Sequence, residues 1–424
     1  MPTITPAATA TSSLISLIKT IIGAGLLSIS LAFSTDGIIF GIGLIIIAAL
    51  TSGYGLFLQA YCSKYVPVGH ATFFNLSQIS YPKLSLIFDI AIAIQCFGCA
   101  MSYLVLIGDL MPTIVKLNIE NLRTFWILIS GIFIIPLSFL HNLDSLKSSS
   151  LLGILSILYI SVIVICHYFW GDIPIKGEVS LLPPNFLQIP STFSIIVFAY
   201  TGHQNMFSII NEAKDKSLSS LSKLINLAIL VSTLLFISVG LTGYLTFGDL
   251  VQGNIILLYP ASWSTTFARF CIVTMVTFSF PLMFHPARIS VNNIYFWLTN
   301  YDKTPEQTPL INSSEDLPLL DEPNKSQNIV PFSDKTFKVI TTLLLLLAYI
   351  LAITIKSFSL VLAVVGATGS TAISFILPGL FGWKLIGSES NDLTTLEKIL
   401  KVLSLVLVIW GFLVMILCLS VIRP

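Results

Sequence analysis

The sequence predicts an all-α polytopic membrane protein of eleven transmembrane helices. Two observations carry that expectation. Hydrophobic residues fill 55% of the 424 positions and charged residues only 10%, giving a mean hydropathy of +0.92. A soluble domain carries about 25% charged residues, too many for this chain to match. Apolar stretches also recur from end to end at roughly the 20 residues needed to cross a hydrocarbon core of about 30 Å.

The stretches lie at about 12–33, 37–61, 85–114, 123–140, 149–170, 189–210, 221–247, 264–284, 336–355, 358–381 and 398–421. The first and sixth are the least uniform, because Gly, Ser, Thr and a charged or titratable residue interrupt them. One transmembrane domain is expected over 12–424, after a short cytosolic tail at 1–11. No signal peptide is expected at 1–13, which carry no Lys or Arg. With the N-terminus in the cytosol and the spans alternating, fifteen of the 21 Lys and Arg residues fall on the cytosolic side. That bias predicts a cytosolic N-terminus and a lumenal C-terminus. The Asn-x-Ser sequons at Asn75, Asn312 and Asn324 then all face the cytosol, where no glycan is added.

Net charge is +1, which argues against nucleic acid as a partner. The six cysteines lie in or at the edge of apolar segments and read as small buried hydrophobes. No metal or cofactor is expected. Zincin, Walker and nucleophile-elbow motifs are missing, which removes the usual support for a metalloprotease, a hydrolase or an ATP-driven pump; Cys96 and Cys99 stand at Cys-x-x-Cys spacing but inside an apolar segment. Residues 301–335, rich in Pro, Ser, Asn, Asp and Glu, predict a disordered cytosolic loop between spans eight and nine. Within it, 306–311 and 315–320 have the form of acidic dileucine signals, which sorting adaptors read on the way to vacuoles and lysosomes.

A helix in lipid must satisfy its own backbone, so a break survives only where it lines a cavity. Ile22-Gly23-Ala24-Gly25 in span one is a candidate break whose freed amides suit a carboxylate. Span six offers a matching break at 199–205, whose carbonyls suit an ammonium; Phe198, Tyr200, Thr201 and Gly202 are the candidate residues. Paired interruptions five spans apart predict the substrate site of a five-plus-five inverted-repeat transporter. The competing reading makes Gly23 and Gly25 a close helix–helix contact. Lys19 is an ionisable group inside a span and is functional by default; Thr274 and Thr277 in span eight are its candidate partners. His203 lines the break in span six and titrates near neutrality, so it is a candidate for proton exchange. Asp109, near the end of span three, is a candidate gate residue.

Several of these segments resemble one known family. SLIKTIIGAGLLSISLAF (16–33), MSYLVLIGDLMP (101–112), FAYTGHQNMFSIINE (198–212), FSFPLMFHPAR (278–288) and VVGATGSTAISFILPGL (364–380) are similar, in order, to the first, third, sixth, eighth and tenth helices of the amino acid/auxin permease family. The opening Ile-Lys-Thr and Asp36-Gly37 look closest to its fungal vacuolar branch. The resemblance implies a leucine-transporter-like fold and transport of neutral or acidic amino acids across the vacuolar membrane, often outward. Lys19 stands where sodium-coupled relatives carry Asn, which argues against sodium coupling. Ser30 stands where most members carry Pro, and Gly202 where many carry Cys. The expected function is therefore a sodium-independent, proton-linked amino-acid transporter working by alternating access. The alternative is a sensor on the same fold, with 301–335 as its docking segment.

Overall fold

The computed structural model describes residues 8–140, 149–171, 173, 177–299, 330, 332–389 and 392–422, the side chains of 149–151 excepted. The described residues are mostly helical, with one isolated β-bridge between Ala8 and Ala213. Eight helical runs among the described residues are long and apolar enough to cross a membrane, and Leu122–Ser138 is a shorter apolar helix. In chain order the helices are α1 (Ala10–Ile21), α2 (Ile29–Cys62), α3 (Phe73–Ser80), α4 (Ser85–Ile114), α5 (Leu122–Ser138), α6 (Ser149–Trp170) and α7 (Ile189–Ala199). There follow α8 (His203–Glu212), α9 (Leu218–Phe247), α10 (Trp263–Thr299), α11 (Asp334–Thr354), α12 (Phe358–Val365), α13 (Leu377–Leu385) and α14 (Thr395–Val421).

The helix boundaries correct the sequence reading in several places. α1 starts at Ala10, not 12, because the Thr9 hydroxyl caps it by accepting from Ser12 N at 3.2 Å. The first and second expected spans run together through α2, with one non-helical residue, Gly37, at φ 71°. A Cβ on Gly37 would stand 2.6 Å from the carbonyl carbon of Leu182, so only glycine fits. The amides that the kink frees are answered from outside the helix. Ile38 N donates to Ser180 O at 3.2 Å and Ile39 N to Leu181 O at 3.1 Å. α3 is a short helix where a loop was expected, capped by Thr72 accepting from Asn75 N. α10 continues to Thr299, well past the predicted end at 284, carrying Pro281 and Pro286 within it. α12 and α13 are joined through π-helical turns at Gly366–Ser370 and Ala372–Ile376. Residues 300–329 and 331 lie outside the described residues, and so do both dileucine patterns; Asp334 and Lys335, assigned to the loop, begin α11.

α4 packs along α10, and α2 along α9. The most buried runs are Pro82–Ile114 and Phe358–Leu385, which meet where Gly369 approaches Gln95; a Cβ there would lie 2.6 Å from Gln95 N. The outer helices present apolar side chains outward, as Leu343, Leu346 and Ile350 on α11 and Val402, Val406 and Ile409 on α14 do.

Buried arginines close helix ends. Arg123 Nε donates to Asp109 Oδ1 at 2.9 Å, while its other nitrogens reach Ala352 O and Ile355 O, each at 3.1 Å, at the end of α11. Arg288 lies against the Phe337 ring, 3.9 Å from its centroid, and donates to Ser138 O at 2.7 Å where α5 ends. Such ends carry carbonyls with no helical partner, and the guanidinium fork answers two at once. Arg123→Ala is expected to cost about 2 kcal/mol, because it strands a carboxylate and several carbonyls. The midpoint of thermal unfolding in detergent reads the loss, with Arg123→Lys falling between; an unchanged midpoint for the alanine variant removes Arg123 from this role.

Candidate functional site

Two interrupted helices meet near the middle of the molecule. α1 closes with Ile22 N donating to Ile18 O at 2.8 Å. Gly23, at φ −80° and ψ −146°, then turns the chain out of the helix, and Ala24–Ser28 follows as a 3₁₀ turn. The first amides of such a turn have no acceptor inside it. Opposite, α7 ends at Ala199 and α8 begins at His203, leaving Tyr200, Thr201 and Gly202 between them. Thr201 answers two carbonyls of the broken end: its N–H donates to Phe198 O at 3.0 Å and its hydroxyl to Val197 O at 2.7 Å.

The breaks touch. A Cβ on Gly25 would lie 2.8 Å from both Cα and Cβ of Ala199, so glycine here permits the contact. Further along, Asn205 Nδ2 donates to Thr20 Oγ1 at 3.3 Å. At the far end of α1, Ala8 N donates to Glu212 O at 2.8 Å and Lys214 N to Ala8 O at 3.1 Å. α1 and α8 are thus tied along their length.

A cavity of about 690 Å³ lies against this pair and follows α1 from Thr9 and Ser12 to Gly25. Gln95, Cys99 and Tyr103 of α4 and Met275, Ser279 and Met283 of α10 form its other wall. Among the described residues, its charged lining groups are Lys19 and Glu212. The Lys19 stem crosses α6, with Cε 3.1 Å from where a Cβ on Gly153 would be, beside Met275. Gln95 accepts from the Ser370 hydroxyl at 2.7 Å, which couples the α4 wall to the π-helical turn behind it. Irregular helical turns of this kind recur at functional sites.

Of the residues singled out from sequence, Gly23, Ala24, Gly25, Phe198, Thr201 and Lys19 line this cavity. Ile22 and Gly202 flank it in the breaks; a Cβ on Gly202 would stand 2.9 Å from Ile21 Cγ1. The other five lie elsewhere. Tyr200 turns away, its hydroxyl 2.7 Å from Thr233 Oγ1 and its ring edge-on to Phe236. His203 is fully buried on the far side of α8, with Nε2 3.1 Å from Ser52 O and Nδ1 3.0 Å from the Ser374 hydroxyl. Both ring nitrogens therefore have fixed partners, and the ring does not border the cavity. Asp109 is held by Arg123. Thr274 and Thr277 return their hydroxyls to Phe270 O and Val273 O one turn back in α10, and Met275, between them, lines the cavity. Asp89 accepts from Asn293 Nδ2 at 3.1 Å. The sequence reading missed Gln95 and Ser208; Gln95 carried a signal as the one carboxamide of its span.

Residues 6–421 match the model of the family described as transmembrane amino acid transporter protein. The chain belongs to that family. It is 42% identical to vacuolar amino acid transporter 6 of Saccharomyces cerevisiae, over 96% of this chain and 97% of the relative. Vacuolar amino acid transporter 7 of the same yeast is 39% identical over 97% of both chains. Sodium-coupled neutral amino acid transporter 7 of Homo sapiens is 26% identical over 86% of this chain and 76% of the relative. The family is one of transporters and not of enzymes.

The contact between the breaks has a direct test. Gly25→Ala drives a methyl group into Ala199 and is expected to reduce amino-acid flux at least about tenfold, the scale on which small displacements of a binding geometry act. Adding Ala199→Gly removes one of the two clashing atoms and is expected to restore part of the flux. Normal flux in the single variant, at matched protein level, shows that the contact is dispensable.

Proposed function

We propose that this protein is a secondary active transporter that carries amino acids across a vacuole-type membrane by alternating access. The single observation that carries the proposal is the pair of touching helix breaks beside one cavity, in a chain of this family. The substrate carboxylate meets the amides at Gly23–Gly25, where a helical turn begins and its positive end faces the ligand. The ammonium meets the carbonyl end of α7 at Ala199–Gly202, since Thr201 already takes up the carbonyls of Val197 and Phe198. Tying a zwitterion at both ends between two broken helices is the arrangement that inverted-repeat transporters use.

In this reading the eleven spans are α1 with the first part of α2, the rest of α2, α4, α5, α6, α7 with α8, α9, α10, α11, α12 with α13, and α14. Spans one to five and six to ten form the two inverted repeats of a leucine-transporter-like fold. The N-terminus is cytosolic and the C-terminus lumenal, so the cavity faces the cytosol in this conformation. The vacuolar address is supported by the yeast relatives, whose names place them there. Lys19 substitutes for a sodium ion beside span one and makes transport sodium-independent, with protons as the coupling ion and export to the cytosol as the direction. Neutral and acidic amino acids are the substrates that the family resemblance implies.

Vacuole-derived vesicles loaded with single radiolabelled amino acids test the proposal. Efflux is expected for at least one of them, unchanged when sodium is removed, faster with an acidic lumen, and reduced by more than about tenfold in Lys19→Ala. Saturable binding without flux for any amino acid overturns transport in favour of a sensor. A requirement for sodium overturns the role given to Lys19.

A further inference from the structure

A second, smaller pocket adjoins the central cavity and belongs to no part of the site described so far. It has a volume of about 170 Å³ and lies between α3, α4, α8 and α10. Gln204 and Ser208 of α8 line both spaces, so the two meet across one turn of that helix. The pocket is built in two halves. One half is apolar: Phe73, Phe207 and Ile92 form its walls, the two rings edge-on with centroids 4.9 Å apart. The other half ends at Asp89, a carboxylate only 7% exposed that points its polar end among neutral groups.

Among the described residues, the partners of Asp89 are uncharged. Asn293 Nδ2 donates to Oδ1 at 3.1 Å, and the Ser290 hydroxyl bonds the same carboxylate. Neither lysine nor arginine contributes to the described lining. His70 stands at the exposed rim, His203 on α8 faces Ser52 and Ser374, and His285 and Arg288 on α10 bond each other at 2.8 Å. At the junction with the central cavity, Gln204 turns its amide so that Nε2 donates to Thr201 O, and its buried Oε1 has no partner among the described residues. A buried carboxylate without a cation and a buried acceptor without a donor both call for a cationic donor.

Size and wall chemistry narrow the class. A bare metal ion of this kind is held by six or more oxygens in a tight cage, and 170 Å³ walled on one side by phenylalanine is not such a cage. A proton needs no pocket at all. An ammonium or guanidinium group on an aliphatic stem needs both halves: apolar walls and ring faces for the stem and cation, and a carboxylate for the charge. We propose that this pocket is a subsite for the cationic side chain of a basic amino acid, with Asp89 as its counter-ion and Gln204 at its threshold. Along α4, Asp89 stands six residues from Gln95, about 9 Å at 1.5 Å per residue, within the span of an extended substrate whose backbone sits at the breaks. This widens the substrate range beyond the neutral and acidic amino acids that the family resemblance implies, and it rests on the reading of the breaks as an amino-acid site.

The test compares charged ligands with neutral ones of similar shape: lysine with norleucine, and arginine with citrulline. Binding is read as thermal stabilisation of the purified full-length protein, so the result stands whether or not flux is found. In the native protein, lysine and arginine are expected to bind more tightly than their neutral counterparts. In Asp89→Asn the affinity for lysine is expected to fall about tenfold or more while that for norleucine stays the same, and Asp89→Glu is expected to keep the preference. Should Asp89→Asn fail to fold, Ser208→Lys supplies a fixed ammonium from α8 and is expected to abolish the preference for lysine. No preference for lysine over norleucine in the native protein overturns the subsite. So does an equal loss for both ligands, or a change confined to the pH profile of transport, which makes Asp89 a proton site. Lysine binding without vesicle flux of any amino acid leaves the subsite standing and overturns transport alone.

Discussion

A chain in lipid has nothing but itself with which to answer its backbone amides and carbonyls, and the rest of this structure follows from that constraint. Each departure from regular helix is matched by an answering group. The kink at Gly37 is met by Ser180 and Leu181. The end of α7 is met by Thr201, whose amide and hydroxyl turn back onto its own helix. The π-helical turn between α12 and α13 is closed by the Thr371 hydroxyl, which donates to Gly366 O at 2.7 Å. The turn after Gly23 differs in its setting, since Gly23, Ala24 and Gly25 all line the central cavity. In the reading proposed above, that turn is where a substrate carboxylate meets the protein.

The same constraint explains where the charges are. Arg123, Arg269 and Arg288 each answer backbone carbonyls at or beyond helix ends, a structural use that the low charge content of the chain makes easy to mistake for function. Once these are assigned, the charges left on the central cavity among the described residues are Lys19 and Glu212, both on helices that border the breaks. Charge within a span is therefore a guide to function only after helix termini have been accounted for.

The sequence made the helices legible because apolar length is a one-dimensional property, and the breaks legible because glycine and polar residues interrupt it. Gly23, Gly25 and Thr201 could be named for that reason. Orientation around a helix was not legible. His203, Thr274 and Thr277 were chosen for their chemistry, but a rotation of one or two residues decides whether a side chain meets the cavity or a neighbouring helix. In α10 the cavity receives Met275 and Ser279, not the threonines beside them. A buried span that is apolar on all sides has no polar face from which to read that rotation. α3 and the far end of α10 were missed for a different reason: they are helical but polar, and a hydropathy window sees only the part that suits lipid.

The distribution of polar bonds also separates firm contacts from weak ones. α1 and α8 are joined by backbone bonds at Ala8 and by Asn205 with Thr20. Across the cavity, the contact from α8 to α10 is Gln204 Nε2 with Met283 Sδ at 3.9 Å, and a thioether is a weak acceptor. α4 and α10, on that far side, are in turn bound to each other by Asn293 with Asp89. Both the central cavity and the Asp89 pocket lie along the seam between the two pairs, with Gln204 and Ser208 lining each. A ligand that bonds to the broken helices on one side and to α4 on the other would replace those weak contacts with strong ones. In the alternating-access reading proposed above, substrate in the seam would bias how the two pairs of helices sit against each other.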